Sequence, residues 1–166
     1  MRYLSQRFSA YNPRVAGLLT DIGTEELAHL EMIGAIVRQL TKGLSAKELE
    51  AAGFAPYYID HTASVWPQAA GGVPFSATEF QCTGDAIADL VEDMAAEQKA
   101  RKTYDNILRL AKDPEVADPI RFLRAREIVH FQRFGEALRM VQEDLDSKNF
   151  YAFNPDFDCQ KKNKQQ

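Results

Sequence analysis

Three stretches of this 166-residue chain repeat apolar residues at steps of three and four. Each runs for about 27 residues, or roughly 40 Å at 1.5 Å rise per residue, so the chain is committed to long amphipathic helices. The first opens at Asn12-Pro13, a capping residue followed by proline at the first helical position, where its missing N–H costs nothing. Its stripe is Val15, Leu18, Leu19, Ile22, Ile33, Ile36, Val37 and Leu40, and Gly43 stops it. The second opens near Asp85, carries Ile87, Leu90, Met94, Tyr104, Leu108 and Ala111, and breaks at Asp113-Pro114. The third repeats the entry signal at Asp118-Pro119 and carries Ile120, Leu123, Phe134, Leu138, Val141 and Leu145. Helices of matched length with apolar seams pack as a bundle, so the expected class is all-α.

The remaining segments are shorter or aperiodic. Ala46–Ala52 reads as a short helix with a capping box, Ser45 with Glu48, and a Gly53 stop. Residues 54–84 show no period, only aromatics, Pro56, Pro67, Gly71-Gly72 and Pro74. A loop of that length is uncommon inside a compact domain and here serves as a crossover, of the kind that ferritin-like four-helix bundles possess. The bundle domain is expected over residues 1–158, with Phe150, Tyr151, Phe153 and Phe157 packing on it or on a neighbouring subunit. Residues 159–166 form a polar tail expected to be disordered. The stub Met1–Ser9 has room for about two and a half helical turns, against seven or eight in its partners. The expected bundle therefore has a truncated first helix and an open apolar groove, which homo-oligomerisation would cover.

Composition narrows the function. A net charge of −4 and a pI near 5.4 argue against a nucleic-acid footprint. The longest apolar stretch, Met32–Val37, is far below the ~20 residues of a membrane span. Met1–Tyr11 has no apolar core of a secretory signal. Two cysteines, Cys82 and Cys159, read as reduced thiols of an intracellular protein.

The chemistry lies where the stripes are interrupted. In the first helix the steps 22, 26, 29, 33, 36 turn Glu26 and His29 inward, and in the third the steps 120, 123, 127, 130, 134 do the same to Glu127 and His130. The second helix places Glu97 and Arg101 on its inward line. Ionisable residues almost never sit on such lines unless they are paired or bind a metal. A lone Glu-x-x-His is an ordinary salt bridge. Two of them on facing apolar stripes, with a third helix giving Glu97, make the pattern of carboxylate-bridged dimetal bundles. Of the other polar residues, His61 is read as a hydrogen-bonding loop residue, and Glu25 and Glu31 as solvated. Arg101 is read as an ion-pair partner of the buried carboxylates, and Cys82 as having no nucleophile context.

These residues resemble a known family. Gly17-Leu-Leu-Thr-Asp-Ile-Gly-Thr-Glu-Glu-Leu-Ala-His29-Leu-Glu-Met32 is similar to the second bundle helix of the manganese catalases, in particular their short spore-coat (CotJC-type) branch. Ala70-Gly-Gly-Val-Pro-Phe75 resembles the crossover loop of that family. Asp93-Met-Ala-Ala-Glu97-Gln-Lys-Ala-Arg101 and Arg124-Ala-Arg-Glu127-Ile-Val-His130 resemble its third and fourth helices. The resemblance implies two manganese ions, with iron as the alternative, bridged by Glu26 and bound by His29, Glu97 and His130. It implies Glu127 as an acid/base beside the metal-bound solvent, and disproportionation of hydrogen peroxide to water and oxygen. The family's first helix carries a further glutamate ligand, whereas this sequence has no Glu before Glu25. The resemblance also implies other spore-coat proteins as partners. The competing readings are a di-iron oxidase or peroxidase, and a structural coat protein with a vestigial metal site.

Overall fold

The computed structural model describes residues 1–55 and 73–147. Its long elements are helices, as the periodicity requires: α1 (Arg2–Gln6), α2 (Pro13–Thr41), α3 (Ala46–Ala51), α4 (Ala86–Leu110) and α5 (Pro114–Ser147), with a 3-10 turn at Ala77–Phe80. His61, the centre of the crossover loop and the aromatic and polar tail lie outside the described residues.

Local chemistry sets the helix ends. The Asn12 side-chain oxygen accepts from the Arg14 N–H at 2.9 Å, and its amide reaches Asp144 at 2.7 Å. Asp85 caps α4 by accepting from the N–H groups of Ile87 and Ala88. The Ser45–Glu48 capping box is present at α3. Gly43, just past α2, has φ +82°, a conformation that favours glycine.

One boundary differs from the sequence expectation. Helix α5 starts at Pro114, not Pro119, and carries Pro119 inside it. Asp113 provides the cap, accepting from the N–H of Glu115 at 2.9 Å. Pro119 sits close enough to the start that it forfeits a single backbone hydrogen bond. The added turn buries Ala117 beside Ile120.

The described residues fall into two compact units. One joins Met1–Glu25 to the stretch beginning at Gln81; the other is Glu26–Phe80. In the first, Val15, Leu19 and Ile22 of α2, Leu90 of α4, and Phe134, Ala137, Val141 and Leu145 of α5 form one buried cluster with Tyr3 of α1. Each large side chain in it contributes about 1.5–3 kcal/mol by leaving water. Helix α1 is too short to be stable alone and is held by contacts. Leu4 packs so closely on Gly23 that a Cβ there would come within 2.8 Å of it. The Tyr3 ring meets Phe134 edge-on at 4.8 Å. In the second unit, α3 buries no residue, and Leu40 of the expected stripe is exposed. Among the described residues no helix is long and apolar enough to cross a membrane.

Candidate metal centre

Helix α5 turns Ile120, Leu123, Glu127, His130 and Phe134 to one buried line, the register its sequence spacing dictates. Glu127 is 2% exposed and His130 is fully enclosed, and Glu97 of α4 is equally buried at 2%. Two carboxylates and an imidazole thus share a space otherwise filled with Phe, Leu and Ile.

The contacts within this unit define the geometry. Tyr3 donates its hydroxyl proton to Glu97 Oε1 at 2.5 Å. Glu97 Oε2, which has no hydrogen-bond partner among the described residues, lies 3.6 Å from His130 Nδ1. On the other edge of the ring, His130 Nε2 is 3.1 Å from Glu25 Oε2. Arg126 holds Glu25 at two points, Nε to Oε1 at 2.5 Å and an Nη to Oε2 at 3.1 Å. That grip, together with His130, overrides burial and keeps the Glu25 carboxyl ionised down to a pKa of about 2.

Above Glu97 on α4, Asp93 and Asp89 continue the same face at intervals of four. Asp89 is fully engaged, accepting from Thr83 N–H and hydroxyl and from Gly84 N–H. Asp93 is enclosed and receives a hydrogen bond from the Gln6 amide at 3.1 Å. Burial raises its pKa to about 7, against the pull of Gln6 and Arg2, with Asp89 and Glu97 adding to the rise.

Glu26 and His29 form the expected i, i+3 pair on α2, His29 Nδ1 lying 3.2 Å from Glu26 Oε2. His29 is buried and Glu26 about a quarter exposed. Each unit thus carries its own ligand-type side chains: Glu26 and His29 in one, Glu97, Glu127 and His130 in the other. Carboxylate oxygens and imidazole nitrogens are the donors that manganese, iron and zinc accept, so the residues fit the implied metal.

Two sequence expectations are corrected. Glu25 is not a solvated neighbour of the first motif but an ion-pair partner of Arg126 and His130. Arg101 does not serve the buried carboxylates. It is half-exposed and pairs with Asp105 at 3.0 Å, which also binds Arg124. Tyr3 carries no sequence signal of its role, because a stub of five helical residues shows no period. Glu25 was legible in principle: Asp21 and Glu25, four apart, face Arg133 and Arg126, seven apart, in antiparallel order.

A family model described as manganese containing catalase matches residues 1–162. Protein CotJC of Bacillus subtilis (strain 168) is 48% identical over 151 residues, 91% of this chain and 79% of that protein. A probable manganese catalase of Clostridium acetobutylicum is 33% identical over 150 residues, 90% of this chain and 67% of its own length. Among solved structures, the manganese catalase KatB from Anabaena superposes with a TM-score of 0.72 at 28% identity, covering 89% of this chain and 63% of that one. The chain therefore spans less than two-thirds of that solved neighbour, and it shares the ferritin-like helical fold expected from its stripes. It belongs to the manganese-containing catalase family.

Proposed function

We propose that this chain binds two manganese ions and disproportionates hydrogen peroxide to water and oxygen as a component of a spore coat. The observation that supports the reading most is the enclosed pair Glu97–His130 within an apolar core. Glu97 Oε2 faces a ring nitrogen at 3.6 Å, too far for a hydrogen bond, and a cation there offsets the cost of a buried carboxylate. Glu26, His29, Glu97 and His130 are the proposed ligands, Glu26 as the bridge.

The metal pair supplies two-electron exchange with peroxide; the protein supplies ligands and proton handling. Two molecules of peroxide give two of water and one of oxygen, so the protons released when one is oxidised are those the other needs. Glu127, buried one turn before His130, is the proposed holder of a proton between the two halves. Tyr3 keeps Glu97 Oε1 occupied and leaves Oε2 for the metal. The donor set also suits iron; metal analysis of untagged protein separates the two.

The proposed assembly is a homo-oligomer of one bundle domain over residues 1–158 with a polar tail at 159–166, and a stable monomer in light scattering at micromolar concentration would refute the oligomer. The functional test is oxygen released per bound metal from the manganese-loaded chain, with His130→Ala alongside. Turnover that His130→Ala abolishes is expected. Full loading with negligible oxygen would overturn the enzyme reading in favour of a coat scaffold.

A further inference from the structure

We propose that the fold binds one resident water molecule between α1 and α4, held by Asp93 Oδ2 and Gln6 Oε1. Neither residue belongs to the proposed ligand set, and the site stands on its own observations whether or not the metal reading holds.

Gln6 and Asp93 are both enclosed, at 2% and 0% exposure. The Gln6 amide donates to Asp93 Oδ1 at 3.1 Å. The remaining oxygen of each side chain, Gln6 Oε1 and Asp93 Oδ2, has no hydrogen-bond partner among the described residues. Buried polar atoms are ordinarily satisfied, by protein or by ordered water. The two side chains line one cavity of about 10 Å³, together with Ser9, Asp89, Leu19 and Leu90. That is about the room a single water needs, and a buried water needs two to four polar partners. Water serves Asp93 in either protonation state. It donates to the carboxylate and to Gln6 Oε1, or it accepts from the acid and donates to Gln6 Oε1 and to Ser9. The Ser9 hydroxyl proton already goes to the Gln6 carbonyl at 2.9 Å, which leaves its oxygen lone pairs for that role. A hard metal cation fits less well, because such ions take about six to eight oxygens. Asp89 is already engaged by Thr83 and Gly84, so two oxygens are what remains. Tyr3 and Gln6, one turn apart on α1, meet Glu97 and Asp93, one turn apart on α4. The water completes the second of these two rungs and ties a helix too short to stand alone to its neighbour.

The first test is a crystal structure of the full chain at a resolution that shows ordered waters. The expected result is a density peak within about 2.7–3.2 Å of both Asp93 Oδ2 and Gln6 Oε1. A cavity without density, or the two oxygens in direct hydrogen-bond contact, would overturn the proposal. So would a peak ringed by about six oxygens at the shorter distances of a metal ion. The second test counts long-lived internal waters in solution by magnetic relaxation dispersion of the water oxygen. It compares the wild type with Gln6→Met/Asp93→Leu, both free of paramagnetic metal, in which both acceptors become apolar at similar size. The double variant should lose one long-lived water, and an unchanged count would overturn the assignment. If the double variant fails to fold, the wild-type density alone decides the question.

Discussion

Asp93→Asn replaces a carboxyl that titrates within the fold by an amide of the same shape that does not. Asp93 is enclosed on α4, and burial, opposed by Gln6 and Arg2, raises its pKa from 3.8 to about 7. In the unfolded chain it titrates near the ordinary value. Below about pH 4 both states hold the proton, and the folded state loses nothing by it. As pH rises the unfolded chain releases the proton while the fold retains it, so stability is lost progressively until about pH 7. A shift of about three units at about 1.4 kcal/mol each sets a ceiling of about 4 kcal/mol. Asp93→Asn should thus be near neutral at pH 4 and more stable than wild type by about 2–4 kcal/mol at pH 8. The new amide can also donate to Gln6 Oε1, which has no hydrogen-bond partner among the described residues. Urea unfolding of both metal-free chains by circular dichroism, from pH 4 to pH 8, reads the difference. Contributions common to both chains largely cancel in that difference. A difference that stays flat across this range, or grows toward acid, would refute the reasoning.

Phe134→Ala removes the fully enclosed ring against which Tyr3 packs; thermal or urea unfolding should show a loss of about 3–5 kcal/mol, and a loss below 1 kcal/mol would mean the site collapses to fill the cavity. Ser45→Ala breaks the capping box of a helix with no buried residue, so faster amide exchange over Ala46–Ala51 is expected, with about 1 kcal/mol of local destabilisation and little change in global melting. Chelating the metal should lower the melting temperature, because an ion that binds only the folded state stabilises it; an unchanged temperature would show that the buried Glu and His residues are not a metal site.

What could be read without coordinates was local. Proline at position 13, Asp85, the Ser45–Glu48 box and Gly43 set helix ends through groups within four residues of one another. The inward turn of Glu127 and His130 follows from 3.6 residues per turn, whatever the rest of the chain does. Even so, two Asp-Pro pairs competed for the start of α5. Burial of Ala117 accompanies the earlier start, a packing consequence that periodicity does not report.

The partnerships were decided by tertiary structure. Tyr3 meets Glu97 across 94 positions of sequence, and Glu25 meets Arg126 across 101. Whether such pairs form depends on how each helix is rotated about its axis and how far it slides along its neighbour. A side chain one position off the buried line, like Glu25, is solvated or clamped according to what the facing helix presents there. Arg101 shows the opposite outcome: the inward line carried it toward the core, yet Asp105 and Arg124 at the half-exposed edge gave it a cheaper partner. Sequence periodicity fixes which face of a helix is apolar. The charge on the neighbouring helix decides what becomes of the residues at that face's border.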